Sequence, residues 1–211
     1  MNFFDFHHHS PQKTIGLYNL GLEETSPPNY FSVGIHPWEI DENWEINFEK
    51  IKKKSLHKNC LAIGECGLDG LMKTDENLQK TIFEKHILWA NEINKPIIIH
   101  CVKRFSEIIP FQKLANTPLI IHGFNKKKNI AKELIDHGFY LSFGKSVLYN
   151  LSLQEILKET PLEKLFLETD DEDFNIEELY HKTAEIKQIP LEQLQNKMLE
   201  NAEKIFRQKI Y

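Results

Sequence analysis

The sequence predicts an α/β protein of the (β/α)8 barrel class. Short apolar runs alternate with amphipathic stretches of helical spacing along most of the chain. Several of these runs are continuously apolar, as in strands that are buried on both faces of a parallel sheet. In total the sequence predicts eight strands, and most of them are followed by a helix. Eight strand–helix units suit a closed parallel barrel. An open, doubly wound sheet is the second possibility.

The elements follow one another from the first residues to the last. The predicted strands are 1–9, 14–20, 30–35, 60–63, 96–99, 118–121, 139–143 and 164–167. The predicted helices are 43–56, 78–93, 105–114, 127–137, 153–158, 175–187 and 191–208. The connections between the first three strands are too short for a crossover helix. We therefore expect a barrel whose helical ring is reduced near strands 1–3.

Composition restricts the class of protein. The chain has 211 residues, of which 41% are hydrophobic and 27% charged, which suits a globular protein with a substantial core. It shows no repeat or linker, so we expect one domain over 1–211. No apolar run approaches the ~20 residues of a membrane span and no signal-peptide pattern is visible, so we expect a cytoplasmic protein. Nothing indicates an obligate protein partner.

Charge and cysteine content add two further limits. The net charge is −5, so the overall field would not attract nucleic acid, and a polyanionic substrate would need local cations or metal ions. Cys60, Cys66 and Cys101 form no CxxC pair and predict no disulfide framework. Alternation along their strands points Cys66 and Cys101 away from Glu65 and His100, which favours packing over metal binding.

The first strand carries the first chemical signal. It runs through Asp5 into His7, His8 and His9. Because side chains alternate along a strand, His7 and His9 point the same way and form half of a divalent-metal site. An expression tag or a run of surface histidines would give the same sequence of residues. The ends of the later strands decide between these interpretations.

Those strand ends carry metal-ligand chemistry as well. In a (β/α)8 barrel the carboxyl ends of the strands meet on one rim, where active sites are built. The residues at these ends are His7, His9, His36, Glu65, His100, His122 and Asp170. Any one of them could be structural, for instance a helix N-cap at Asp170. Together, without ions, they would crowd many polar groups without partners. Apart from His36, the set suits two divalent ions such as Zn, Mn or Mg, and the two oxygens of Glu65 make it the natural bridge.

Longer motifs surround these residues. They are Asp5-Phe6-His7-His8-His9, Gly34-Ile35-His36-Pro37-Trp38, Ile63-Gly64-Glu65-Cys66-Gly67-Leu68-Asp69, Ile99-His100, Ile121-His122-Gly123-Phe124, Leu141-Ser142-Phe143-Gly144, Leu167-Glu168-Thr169-Asp170 and Asn201-Ala202-Glu203-Lys204-Ile205-Phe206. In this order they resemble the TatD-type metal-dependent hydrolases over essentially the whole chain. That family is a branch of the amidohydrolase-like barrels and is described as Mg- or Zn-dependent DNases.

The resemblance implies a role for each strand-end residue. One ion would be held by His7, His9 and Asp170 and the other by His100 and His122, with Glu65 bridging them. Asp170 would also orient or deprotonate the attacking water. His36 would lie near the scissile phosphate, and Asp69 would steady a metal ligand.

The chain departs from the family pattern at the substrate rim. The arginine expected two places after His100 is Val102, and Lys103 or Arg104 could replace its charge. Beyond Asp170 an acidic stretch takes the place of a longer loop with proline, arginine and asparagine. Lys126 could contact phosphates or form a solvated helix start.

Three functions follow from this pattern. The first is a two-metal phosphodiesterase that acts on DNA through an activated water, as implied by the resemblance to TatD-like deoxyribonucleases. The alternative is a two-metal hydrolase of a small phosphate ester, or of an amide or carboxyl ester. The third is a metal-binding protein without enzymatic activity. Trp38 could stack on a base or form a wall of the pocket.

Overall fold

The strands form one eight-stranded sheet. The computed structural model describes residues 3–13, 15–25 and 29–210. Its strands are β1 (Asp5–His8), β2 (Gly16–Asn19), β3 (Phe31–Val33), β4 (Cys60–Asp69), β5 (Ile97–Val102), β6 (Leu119–Ile121), β7 (Tyr140–Phe143) and β8 (Leu165–Leu167). They are hydrogen-bonded in the order of the sequence. A doubly wound sheet would reverse this order partway, so that alternative is excluded.

The sheet returns to its first strand. A parallel bridge joins His8, at the end of β1, to Asp170, which follows β8. The backbone N–H of Asp170 donates to the carbonyl of His7 over 2.9 Å, and that of His9 donates to the carbonyl of Asp170 over 3.1 Å. Sequential parallel strands that close in this way confirm the predicted (β/α)8 barrel.

Seven α-helices accompany the strands within the described residues. They are α1 (Trp44–Ser55), α2 (Glu76–Ile93), α3 (Phe105–Ile108), α4 (Lys128–Asp136), α5 (Leu151–Glu159), α6 (Ile176–Lys187) and α7 (Leu191–Phe206). Among residues 9–13, 15–25 and 29–30, which lie between β1 and β3, no helix occurs. The helical ring is therefore reduced where the short connections predict it. No described helix has both the length and the apolar character needed to span a bilayer.

Two elements differ from their predicted extent. The strand predicted over 60–63 continues to Asp69, because its backbone keeps pairing with β5 as far as the register Asp69 to Val102. The glycines that suggested a turn, Gly64 and Gly67, have φ values of +127° and +149° and lie against backbone carbonyls of β5. Only glycine fits there, since a Cβ would overlap those oxygens.

The helix predicted over 105–114 is shorter and divided. Its first turn is α3, and the chain continues as a 3-10 helix over Ile109–Lys113. Pro110 lies within this second segment. Proline lacks a backbone N–H and blocks the preceding carbonyl, so a regular α-helix cannot pass through it.

The chain divides into two compact units, each with its own core. The first comprises the described parts of 1–17 and 122–211, and the second comprises 18–121. In the first, the ring of Phe6 stacks on Phe166 at 4.0 Å. In the second, Phe31 and Ile51 belong to a buried apolar cluster. The single domain over 1–211 stays a prediction.

Candidate functional site

In the first unit, histidines and carboxylates gather where β1 and β8 end. We call this group the Asp170 cluster; its members are His7, His9, His122, Glu168 and Asp170. Nε2 of His7 lies 3.6 Å from Oδ1 of Asp170, and Nε2 of His9 lies 3.4 Å from the same oxygen. Nδ1 of His122 lies 4.0 Å from Oδ2 of Asp170. The backbone pairing of the two strand ends therefore brings His7, His9 and Asp170 together, and His122, which follows β6, joins them.

The spacing in this cluster fits a metal ion. Zinc binds nitrogen and oxygen at 2.0–2.2 Å in a tetrahedron, so two of its ligands stand about 3.4 Å apart. The separations of 3.4 and 3.6 Å from Asp170 to His9 and His7 match this value. The ligand atoms of these three residues all lie within 4.8 Å of one another. The donor set and its spacing thus suit a divalent ion.

A buried aspartate positions Asp170. Oδ1 of Asp5 accepts the backbone N–H of Thr169 over 2.9 Å, and its Oδ2 accepts the Thr169 hydroxyl over 2.7 Å and Nζ of Lys13 over 2.9 Å. Burial raises the pKa of Asp5, although the Lys13 charge and the Thr169 hydrogen bonds oppose this. These contacts fix the residue beside Asp170, which has a φ of +56°. Aspartate tolerates this left-handed region better than most residues.

Glu168 is a further member of the cluster that sequence reasoning did not identify. Its side chain is fully buried, and its Oε1 accepts the backbone N–H of Gly123 and lies 3.5 Å from Nδ1 of His122. Its Oε2 has no hydrogen-bond partner among the described residues. A buried carboxylate is costly unless a cation compensates it. The candidate ligand group of His122, Glu168 and Asp170 could hold such a cation.

In the second unit, β4, β5 and the segment after β3 carry the Glu65 cluster, which comprises His36, Glu65, Asp69 and His100. Oε1 of Glu65 lies 2.8 Å from Nδ1 of His100 and 3.2 Å from Nε2 of His36. Nδ1 of His36 accepts the backbone N–H of Trp38, so Nε2 carries the proton and faces Glu65. The structure thus brings His36, Glu65 and His100 together.

Asp69 fixes the other side of His100. Its Oδ2 lies 3.1 Å from Nε2 of His100 and accepts the indole N–H of Trp38 over 2.9 Å. Its Oδ1 accepts the backbone N–H of Leu71 over 2.8 Å. Burial disfavours ionisation of Asp69, but these hydrogen bonds outweigh it and its pKa lies below the usual value. A metal-ligating histidine commonly has its second nitrogen held by a carboxylate, and Asp69 supplies one.

The predicted cationic contacts are exposed or already paired. Nη1 of Arg104 lies 2.8 Å from carboxylate oxygens of Glu76 and Glu107. Lys103 and Lys126 are exposed. Contact between these three cations and a substrate stays a prediction.

The two cysteines beside ligand positions are packed in the interior. Cys66 is fully buried and Cys101 is 7% exposed. Burial raises the pKa of the Cys66 thiol, which disfavours the thiolate that binds metals. Among the described residues, no candidate metal group includes a cysteine.

Comparison with known families agrees with this ligand chemistry. The family model described as TatD related DNase matches residues 10–207. The chain belongs to this family. Sequence relatives and solved structures of TatD proteins give further comparisons.

The sequence relatives are metal-dependent hydrolases described as uncharacterized. YabD of Bacillus subtilis is 30% identical over 197 residues, which cover 84% of this chain and 77% of that protein. A hydrolase of Buchnera aphidicola is 34% identical over 145 residues, and YcfH of Escherichia coli is 30% identical over 146 residues. Each of the latter two matches covers 66% of this chain and 54% of the relative. The chain thus spans about half the length of these two relatives.

Two solved structures support the fold. The TatD homolog YJJV of Escherichia coli superposes with a TM-score of 0.82 over 97% of this chain and 98% of that chain, at 18% identity. A TatD family hydrolase of Entamoeba histolytica gives 0.69 over 83% and 74%, at 19% identity. The protein is therefore a TatD-family barrel in a family of metal-dependent hydrolases.

Proposed function

We propose that this TatD-family protein is a deoxyribonuclease that hydrolyses phosphodiester bonds with two divalent ions of Mg, Zn or Mn. The spacing of His7, His9 and Asp170 carries the proposal, because 3.4–3.6 Å between nitrogen and oxygen suits ligands of one ion. The description of the matching family as a DNase family supports DNA as the substrate.

The ions would acidify a bound water and polarise the phosphoryl oxygens. Asp170 would then have two tasks, since its Oδ1 faces His7 and His9 and its carboxylate would also accept the proton of the attacking water. The Asp170 side chain is 33% exposed, so solvent reaches it. Asp5 and Thr169 hold its backbone in place while the proton moves.

In the Glu65 cluster, the Nε2–H of His36, which now faces Glu65, would donate to a phosphate oxygen once Glu65 turns to an ion. Its side chain is 16% exposed, whereas that of Glu65 is 5% exposed. Glu65 and His100 would ligate an ion in place of the hydrogen bond that now joins them. That Glu65 serves both ions, and that His122 joins His100, follow from the family resemblance and stay predictions.

The test compares DNA cleavage by the purified chain with Mg, Mn or Zn and by single variants. Wild type is expected to cut single- or double-stranded DNA, and His7→Ala and Glu65→Ala to lose that activity. His137→Ala is the matched control, because it removes an imidazole at the exposed end of α4. If wild type cleaves neither single- nor double-stranded DNA faster than His100→Ala does, the deoxyribonuclease proposal is wrong.

A small phosphate ester is the second candidate substrate. Arg104 is paired with two glutamates, and Nζ of Lys145 lies 3.2 Å from Oε2 of Glu172 in the acidic stretch after β8. Fewer cations therefore remain for a long polyanion. A panel of small phosphate esters, carboxyl esters and lactams distinguishes this candidate, since metal-dependent turnover of one of them without DNA cleavage would favour it.

A further inference from the structure

Trp38 is an unusually exposed tryptophan. Its side chain is 66% exposed, whereas Trp44 and Trp89 are only partly exposed. Trp89 also donates its indole N–H to the Ser55 hydroxyl over 2.9 Å within the second unit. Leaving a large apolar ring in water forgoes a substantial stabilisation from burial. A ring in this position therefore suggests a ligand that covers it.

The Trp38 ring is held in one orientation. Its N–H donates to Oδ2 of Asp69 over 2.9 Å, and the same oxygen lies 3.1 Å from Nε2 of His100. Leu71, which is 63% exposed, is tied to the other oxygen of Asp69 through its backbone N–H. One carboxylate thus orients a candidate metal ligand and anchors two exposed apolar residues.

The ring also lies beside the residue proposed to contact phosphate. The centre of the indole is 5.1 Å from that of the His36 imidazole and 6.4 Å from that of His100, with interplanar angles of 89° and 70°. A flat group attached to a phosphate at His36 would therefore be within reach of the indole. In a nucleic acid every phosphate is linked through a sugar to such a group, namely the base.

We propose that Trp38 stacks on a nucleobase next to the scissile phosphate. This inference rests on the proposed function and names the part of the substrate that the second unit recognises. Stacking tolerates any base, because every base has a π face. It also supplies affinity that the net charge of −5 cannot. Trp38 is a substrate contact in this account and takes no part in the chemical step.

Kinetics with a base-free substrate test the proposal. The substrates are an oligothymidylate and an abasic oligonucleotide with the same number of phosphates. For wild type, KM for the abasic substrate should be about tenfold higher or more. Trp38→Leu should raise KM for oligothymidylate by a similar factor with little change in kcat, and should leave the abasic substrate unaffected.

Trp38→Phe separates stacking from the hydrogen bond. Phenylalanine and leucine both lose the N–H that Asp69 accepts, but only phenylalanine keeps an aromatic face. Retention of most of the affinity in Trp38→Phe supports stacking. Equal losses in both variants, or a fall in kcat or metal affinity, would mean that Trp38 acts through Asp69 and would overturn the proposal.

Fluorescence gives a readout that does not need turnover. Oligothymidylate should quench the emission of wild type and of Trp44→Phe, the abasic oligonucleotide should not, and Trp38→Phe should lose the quench. Quenching by thymidine monophosphate as well would show that one nucleotide is enough for stacking on Trp38.

If wild type cuts neither oligonucleotide, the deoxyribonuclease proposal fails, while the fluorescence quench still tests the stacking. Equal quenching in Trp38→Phe, or none in wild type, would overturn the inference.

Discussion

The Asp170 cluster and the Glu65 cluster contain the same kinds of groups but hold them at different distances. In the first, Asp170 stands 3.4 and 3.6 Å from two histidine nitrogens. In the second, Glu65 stands 2.8 and 3.2 Å from His100 and His36. The longer distances are those between ligands of one ion, and the 2.8 Å between Glu65 and His100 is that of a hydrogen bond. The first cluster is therefore spaced for an ion, whereas in the second a hydrogen bond must give way to one.

This difference predicts unequal metal sites. A preformed set of ligands loses little on binding an ion, so the Asp170 cluster should bind more tightly. In the Glu65 cluster an ion must first displace the 2.8 Å hydrogen bond between Glu65 and His100, so this cluster should bind an ion more weakly. The predictions below test this comparison, starting with the largest expected effect.

Asp170→Asn should nearly abolish hydrolysis. The variant removes a charged metal ligand and the acceptor of the water proton, and loss of a general base alone costs about 10²–10⁴-fold in rate. Asparagine tolerates the φ of +56° at this position, so the fold should be retained. The measurement is kcat/KM at saturating metal. Asp171→Asn, at the exposed neighbouring position, should stay active; an active Asp170→Asn would refute the assigned role.

Glu168→Gln should weaken metal binding at the Asp170 cluster by about 10–100-fold, the usual effect of removing a carboxylate behind the ligands. The reason is that Glu168 holds Gly123 and stands 3.5 Å from Nδ1 of His122. Competition with a chelating dye measures the affinity. Glu172→Gln is the control, since it removes a nearby carboxylate that is 45% exposed. Unchanged affinity in Glu168→Gln would assign Glu168 to packing alone.

The second unit should lose stability in acid through His86. Its Nε2 accepts the backbone N–H of Ile35, next to His36, over 3.1 Å, and its Nδ1 lies 2.8 Å from the carbonyl of Ile82. Burial lowers the pKa of His86 from 6.5 to about 4. Because the unfolded chain takes up this proton first, stability is complete above pH 6.5 and declines as the pH falls toward 4, by up to about 1.4 kcal/mol per pH unit.

Urea denaturation at pH 7 and pH 5, with a chelator present, measures this effect. His86→Gln keeps an acceptor for Ile35 and removes the titration. Wild type should lose roughly 2 kcal/mol more than the variant between these pH values. Parallel losses in the two proteins would show that His86 does not set the acid sensitivity.

The fold could be predicted because strand patterning and sequence order determine a sequential parallel sheet. The predicted bounds of one strand and one helix were wrong, because glycine and proline residues were given the wrong weight there. Gly64 and Gly67 read as a turn but lie inside β4, since a neighbouring strand approaches them closely. Pro110 shortens a helix that apolar spacing alone favours.

Much of the candidate site was visible as ligand residue types at strand ends. Asp5 and Glu168 were not identified, because a single carboxylate in an apolar run reveals its burial and its partners only in the folded chain. The sequence could not predict the nitrogen–oxygen distances within each cluster either, since these depend on backbone register and rotamers.

Metal titration of the purified chain tests the central claim most directly. We expect two ions per chain with different affinities, the tighter one lost in His9→Ala and the weaker one lost in His100→Ala. Binding of fewer than two ions by wild type, or loss of the same ion in both variants, would contradict the account.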